Sequence, residues 1–176
     1  MVSGTAVPNG TLLPVDPLCA LLEDVAAVVI SLDSQTYVAA PMAPLSGSIG
    51  QHVRHLVDHV AAFLQGADAG EDIDYDSRQR GTEVEGDPAA AVAMIYRCSQ
   101  RLRAMTRRDA NDRALVRSQL SRDAEATTSW STLGREVAFV VSHTIHHQAI
   151  IALLLHANVS ELPRHFGLAP STPASH

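Results

Sequence analysis

The sequence predicts an all-α fold, a four-helix bundle whose helices are joined by two long connections. Four segments repeat apolar residues at the helical period, and most of them begin with a residue pattern typical of a helix start. Only 4% of the residues are aromatic although 46% are apolar, so the core has to be built mainly from Leu, Val, Ile and Ala. The two long connections leave the winding of the helices open.

The first two helices have clear start signals. Asp16-Pro17 opens a helix that runs to Leu32, because Asp is a good N-cap and proline fits the first helical turn. Ser48-x-x-Gln51 is the pattern of a capping box, and a helical period of apolar residues follows it. Gly66 is the predicted end of this second helix.

The last two helices flank the least regular part of the chain. Asp87-Pro88 repeats the start signal and predicts a third helix to about Arg107. Residues 109–130 are expected to form a short hairpin or an irregular loop. A fourth helix is predicted from about Ser131 to Ala157. We expect a flexible N-terminus over residues 1–15, one domain over 16–172 and a flexible tail over 173–176.

Charge and cysteine content narrow the class of protein. The net charge of −6 argues against a nucleic-acid partner, and a run of arginines between positions 101 and 113 is interpreted as a solvated helix end. Cys19 and Cys98 lie in apolar helical patterns and suit a reducing compartment. No secretory signal is evident. The apolar stretch 137–155 contains three histidines and a glutamine, so we expect a core helix, no membrane partner and a cytoplasmic protein.

Six of the nine histidines lie in two clusters on the second and fourth predicted helices: His52, His55, His59, His143, His146 and His147. The spacing of His143 and His147 places both on one helix face, which is how a helix offers two imidazoles to one metal ion. A third histidine from a facing helix would complete a three-sided site suited to zinc, nickel, cobalt or iron. Hydrogen-bonded core histidines, a pH-sensitive interface and a general base without metal remain open alternatives.

Glu136 lies two turns before His143 on the same helix face. It is a candidate catalytic residue that would contact a metal-bound water or orient a ligand. The alternative is a glutamate favoured by the helix dipole at the N-terminal turn.

At these positions the chain resembles the DinB-like family, which is related to the bacillithiol and mycothiol transferases. The matching pieces are Ser48-Ile49-Gly50-Gln51-His52-Val53-Arg54-His55-Leu56, Arg135-Glu136 and Ser142-His143-Thr144-Ile145-His146-His147. The pieces Asp74-Tyr75-Asp76-x-Arg78-x-Arg80 and Phe166-Gly167-Leu168-Ala169-Pro170-Ser171-Thr172 resemble one DinB-like subgroup. The resemblance extends over about residues 15 to 172.

The resemblance implies a four-helix bundle of DinB-like type with long crossover connections, often a homodimer. It also implies one divalent metal ion, most commonly nickel or zinc, with iron, cobalt or manganese as alternatives. Matched residue by residue, the metal ligands fall on His55, His143 and His147. The chain departs from the family pattern after the last histidine, where Gln148-Ala149 replaces the usual Arg or Tyr and leaves the substrate side open.

Two kinds of function are predicted. The first is a metal-dependent thiol S-transferase or hydrolase that acts on a small molecule, with a low-molecular-weight thiol as a candidate cosubstrate. Tyr75 would donate a proton, and the residues assigned to substrate binding are Arg54, Arg78, Arg80 and His52. The second is a non-enzymatic metal-binding or stress-responsive dimer, which would have a saturated coordination sphere or a closed pocket.

Overall fold

Four long helices and five short elements make up the described chain. The computed structural model describes residues 10–41, 43, 45–77, 81–155 and 162–172. In chain order the elements are α1 Asp16–Ser31, α2 Ser34–Val38, α3 Ile49–Ala69, β1 Ile73–Asp74, α4 Glu83–Gly86, α5 Pro88–Ala104, β2 Arg113–Ser118, β3 Thr127–Thr132 and α6 Leu133–Leu154. The fold is therefore mostly helical, with a small sheet inserted before the last helix.

Polar caps start three of the long helices. At α3 the predicted capping box is present, with the Ser48 hydroxyl accepting from the Gln51 N–H and the Gln51 side chain accepting from the Ser48 N–H. The Asp87 carboxylate accepts from the Ala89 N–H at the start of α5. Each such cap satisfies N–H groups that have no partner within the helix.

The long helices pack in a closed order around one apolar core. Helix α1 contacts α5 and α6, and α3 contacts the same two helices from the other side. Leu22 of α1, Leu56 of α3, Ile95 of α5 and Val140 of α6 are all fully buried. Burial of a side chain of this size contributes about 1.5–3 kcal/mol, so this shared core fixes α3 against α6.

A three-stranded sheet corrects the prediction of an all-α chain. The strand order is β1-β2-β3, with β1 parallel to β2 and β2 antiparallel to β3. Ile73 is paired with Val116, and Leu115 with Trp130. The hairpin was one of the two alternatives for residues 109–130, but the parallel strand β1 joins segments about forty residues apart. Periodicity along the chain does not show such a pairing.

The end of α3 also differs from the sequence prediction. The helix continues past Gly66 to Ala69, and Gly70 ends it with a φ of 67°. Gly66 is buried, and a Cβ added there would lie 2.6 Å from Ile73 Cγ1 and 2.9 Å from its Cα. Gly66 therefore does not end the helix. Its lack of a side chain lets β1 lie directly against α3.

Part of the predicted flexible N-terminus, residues 10–15, lies within the described residues. Residues 1–9 and 173–176 lie outside the described residues. Leu13 is buried and its N–H donates to the Arg108 carbonyl, while the Ala110 N–H donates to the Thr11 carbonyl. The segment 11–15 thus packs against the residues that follow α5, with Leu13 and Val15 buried.

Gln148 joins three parts of the chain. Its side chain is fully buried, its amide nitrogen donates to the Leu21 carbonyl of α1, and its amide oxygen accepts from the Gly167 N–H. The residue that departs from the family pattern therefore fixes α6 to α1 and to the C-terminal segment.

Helix α6 is the one helix of the described chain that is long and apolar enough to cross a membrane by length and composition alone. Two of its polar residues have partners on neighbouring helices: His147 contacts α3, and Gln148 bonds to α1. This is the arrangement of a core helix, and such a helix passes the same length and composition test.

Candidate metal centre

Two His-x-x-x-His pairs face each other across the contact between α3 and α6. One pair is His55 and His59 on α3, and the other is His143 and His147 on α6. Residues four apart lie on the same face of a helix, so packing two such faces together brings four imidazoles into one place. We call these four residues and the neighbouring His52 the histidine cluster.

Three of these rings meet edge to face. The ring centroids of His55 and His143 are 5.0 Å apart, those of His55 and His147 are 4.7 Å apart, and those of His143 and His147 are 4.6 Å apart. The angles between the three ring planes are 70°, 82° and 67°. Metal–nitrogen bonds of about 2.0–2.1 Å at near-tetrahedral angles place ligating imidazole rings roughly 5 Å apart. The predicted triad has this spacing.

His59 is the residue that sequence reasoning left without a role. Potential ligand nitrogens of His55, His59 and His143 all lie within 4.8 Å of one another, so proximity alone favours His59 over His147. However, the His59 and His143 rings are stacked, 3.8 Å apart and tilted by only 23°. An imidazole lone pair lies in the plane of its ring, so two stacked rings direct their lone pairs side by side and not towards one point. Ring orientation therefore favours His147 as the third ligand.

His59 instead supports the ring of His143. The His59 ring is also stacked on the Tyr75 ring, with centroids 5.4 Å apart and an interplanar angle of 13°. Its Nδ1 lies 3.0 Å from the His55 carbonyl oxygen, which can only accept, so Nδ1 carries the hydrogen. A ring held by one hydrogen bond and two stacked neighbours has little rotational freedom.

His147 is neutral in this environment. Burial and the neighbouring histidines His143, His55, His52 and His146 lower its pKa to about 2. Burial also lowers the pKa of His52. A neutral imidazole keeps one lone pair, which is the form that binds a metal ion.

A buried carboxylate lies at the start of α6, next to the histidine cluster. Glu136 is 1% exposed and accepts from the Tyr75 hydroxyl at 2.9 Å and from the Ser131 hydroxyl at 2.6 Å. The exposed Arg135 guanidinium also donates to it at 3.3 Å. We call Glu136, Tyr75 and Ser131 the carboxylate cluster. Since Tyr75 stacks on His59, the two clusters are in contact.

The carboxylate cluster pairs the two predicted catalytic residues with each other. Burial and the adjacent Glu136 carboxylate raise the pKa of Tyr75, so its hydroxyl keeps its proton and donates it in a hydrogen bond. In this geometry Glu136 and Tyr75 satisfy each other and hold the segment after β1 against α6.

Arg54 and His52, two of the residues assigned to substrate binding, have different partners in the structure. Arg54 is held between two carboxylates, with Nη1 2.6 Å from Asp58 and Nε 2.6 Å from Glu85, so it joins α3 to α4. His52 contacts His147 through the two Nδ1 atoms, 3.1 Å apart. Arg78 and Arg80 lie outside the described residues.

Sequence reasoning also missed Ser131, because its contact with Glu136 depends on strand β3 ending at the start of α6. The i, i+4 spacing of His55 and His59 was a signal that would have pointed to His59. No comparable local signal existed for Ser131.

These features define a mostly helical protein with a histidine cluster between two core helices. The profile of the DinB superfamily matches residues 20–151, and the chain belongs to that superfamily. It is also similar to "FK506-binding protein 5" of Rhizopus delemar, with 30% identity over 102 residues. That match covers 57% of this chain and 26% of the fungal protein, so the chain spans about a quarter of its length. No solved structure matches the chain.

Proposed function

We propose that this protein binds one divalent metal ion through His55, His143 and His147, within a four-helix bundle of DinB-like type. The observation that carries the proposal is the edge-to-face meeting of these three rings, with centroids 4.6–5.0 Å apart. Membership of the DinB superfamily supports it independently.

The donor set fits a borderline metal. Three neutral imidazoles suit nickel or zinc best, accept iron, cobalt or manganese, and suit calcium or magnesium poorly. The low pKa of His147 means that no proton has to leave that ring when the ion binds near neutral pH. His143 stacks on His59, which in turn stacks on Tyr75, so one ligand is held in place before the ion arrives and less entropy is lost on binding.

We propose further that the protein is a thiol S-transferase or a hydrolase for a small molecule. Three protein ligands are typical of catalytic zinc sites, in which a further position stays open. A bound ion supplies Lewis acidity that lowers the pKa of a thiol or water. The protein's own contribution is to hold the three imidazoles and to keep the Tyr75 and Glu136 polar groups paired within the adjacent carboxylate cluster.

A second candidate function rests on His59. If His59 turned towards the same ion, four imidazoles would close the coordination sphere, as in structural zinc sites. The nitrogens of His55, His59 and His143 within 4.8 Å of one another are the observation that favours this non-enzymatic metal-binding protein.

The first experiment separates the two ligand sets by metal content. The untagged protein, His147→Ala and His59→Phe would be stripped with chelator, reloaded with nickel or zinc and analysed for metal. Phenylalanine at position 59 keeps the stacked ring and removes both nitrogens. We expect one equivalent in the wild type and in His59→Phe, and none in His147→Ala.

Other outcomes have defined meanings. Metal lost in His59→Phe and retained in His147→Ala would replace His147 by His59 in the ligand set. Metal lost in both variants would support the closed four-imidazole site. No uptake by the wild type from any of the divalent ions named here would overturn the metal proposal.

The reaction is tested with the loaded protein. A low-molecular-weight thiol and an alkyl halide would be mixed, and halide release followed as the carbon–sulfur bond forms and the thiol proton leaves. Ester hydrolysis without thiol tests the hydrolase alternative. Turnover that disappears in His147→Ala supports an enzyme, and turnover equal in both proteins contradicts it.

The homodimer and the cytoplasmic location are also proposals. Light scattering coupled to size-exclusion chromatography gives the mass in solution, and a value of twice 18.8 kDa supports the dimer. A monomeric mass at all concentrations would contradict it.

A further inference from the structure

His52 lies between a loop carbonyl and His147. We infer that His52 is a positioning residue: it holds His147 in the tautomer that carries its hydrogen on Nδ1, which leaves the Nε2 lone pair for a ligand. The value of this tautomer for metal binding rests on the proposed function above, but the tautomer itself does not.

The first step is the contact between His52 and the loop before α3. His52 Nε2 lies 3.0 Å from the Ser46 carbonyl oxygen. A carbonyl oxygen can only accept a hydrogen bond, so Nε2 of His52 has to carry a hydrogen. A neutral imidazole has one hydrogen, and the Nδ1 atom of His52 is therefore an acceptor.

The second step is the contact between the two rings. His52 Nδ1 and His147 Nδ1 are 3.1 Å apart. Because the His52 atom accepts, the His147 atom donates, and the hydrogen of His147 is on Nδ1. Its Nε2 then keeps the lone pair. Metal-bound histidines commonly donate their second N–H to a partner in this way, which fixes both the tautomer and the ring orientation.

The loop is shaped for this contact. Gly47 has a φ of 82°, and a Cβ added there would lie 3.2 Å from His52 Nε2. Glycine adopts this backbone conformation at little cost and leaves room for the His52 ring beside the Ser46 carbonyl. Two hydrogen bonds therefore connect the Ser46 carbonyl to His147 through the His52 ring.

His59 shows the same arrangement on the other side of the cluster. Its Nδ1–H donates to the His55 carbonyl, which leaves its Nε2 without a hydrogen. Two histidines on facing helices thus have their tautomers set by fixed acceptors. In His147 the acceptor is a side chain, and it can be changed by substitution without altering the backbone.

The test reads the tautomer in the metal-free protein. Long-range ¹H–¹⁵N NMR distinguishes a protonated Nδ1 from a protonated Nε2, and His147→Gln assigns the signal. We expect a protonated Nδ1 in the wild type and a mixture of tautomers in His52→Ala. In His52→Asn the amide oxygen stands where Nδ1 stood, so the Nδ1–H form of His147 should be restored. His146→Ala, which removes an exposed histidine beside the cluster, is the matched control and should resemble the wild type.

Metal affinity provides the second readout. In competition with a chromophoric chelator, His52→Ala should bind about 10–100-fold more weakly than the wild type, and His52→Asn should recover most of the loss. A merely structural role would lower stability in both variants without rescue by Asn. A protonated Nε2 on His147 in the wild type, or an unchanged tautomer in His52→Ala, would overturn the inference. Wild-type protein with the expected tautomer but no metal uptake would instead overturn the proposed function.

Discussion

The histidine cluster and the carboxylate cluster are in contact, yet they are built in different ways. The histidine cluster uses two helices whose side-chain spacing is set by the helical repeat. The carboxylate cluster combines the start of α6 and the adjoining end of β3 with Tyr75, the residue after β1, which lies far from them in the chain. The first can therefore be altered with little effect on the fold, whereas the second connects the sheet to the helices and should contribute mainly to stability.

The largest expected effect is a loss of stability when the carboxylate cluster is altered, compared with a loss of metal binding when the histidine cluster is altered. Glu136→Ala leaves the buried hydroxyl of Tyr75 without its acceptor and removes the partner of Ser131, which should lower the free energy of unfolding by about 3 kcal/mol. His55→Ala should abolish metal uptake and change the stability of the metal-free protein much less. Urea unfolding and metal analysis on both variants give the comparison. Equal loss of stability in the two variants would contradict the division of roles.

The next largest effect on stability is expected where β1 packs closely against α3 at Gly66. Gly66→Ala places a Cβ within 3 Å of Ile73, including its backbone, so β1 and Tyr75 have to move. We expect a loss of about 2–3 kcal/mol, as for overpacked sites. Gly86→Ala is the control, because nothing lies within 4 Å of its added Cβ. Thermal unfolding that shifts equally in both variants would show that the close approach is not responsible.

Acid should lower the free energy of unfolding of the metal-free protein, because histidines of the histidine cluster have lowered pKa values. The pKa of His147 is lowered to about 2 in the folded chain, whereas in the unfolded chain it has its ordinary value of about 6.5. At a pH below 6.5 the unfolded chain therefore binds more protons than the folded chain. Stability should therefore fall by about 2 kcal/mol between pH 7 and pH 5, and His52 adds to the loss in the same direction. Urea midpoints across this range measure the effect. A slope that is unchanged in His147→Gln would assign it to other groups.

The smallest effect concerns one hydrogen bond. Tyr75→Phe keeps the ring against His59 and removes the hydroxyl that donates to Glu136, which should cost about 1.5 kcal/mol. Because the stack on His143 survives, metal affinity should stay near that of the wild type. Tyr75→Leu, which also removes the stack, should weaken metal binding as well. Equal metal affinity in the two variants would show that the stack does not position His143.

Much of this could be predicted from the sequence, for identifiable reasons. Asp87-Pro88 and the Ser48 capping box mark helix starts because caps act within four residues. The placement of His143 and His147 on one face follows from the helical repeat. What could not be predicted depends on contacts that the helical and strand repeats do not encode: the pairing of Ile73 with Val116, about forty residues away, and the bond from Ser131 to Glu136 across the junction of β3 and α6. Gly66 was misinterpreted for the same reason, since its role is set by β1.

The fixed amide of Gln148 has a consequence for how the chain can be shortened. The superfamily match ends at residue 151, but Gln148, which follows His147, uses its amide oxygen to hold the N–H of Gly167. A chain cut at residue 151 would lose this hydrogen bond at the residue next to the candidate ligand His147. The C-terminal segment therefore helps to hold α6 in place at Gln148, one residue from His147 of the histidine cluster. We expect a truncated chain to keep its stability only if it extends at least to Gly167.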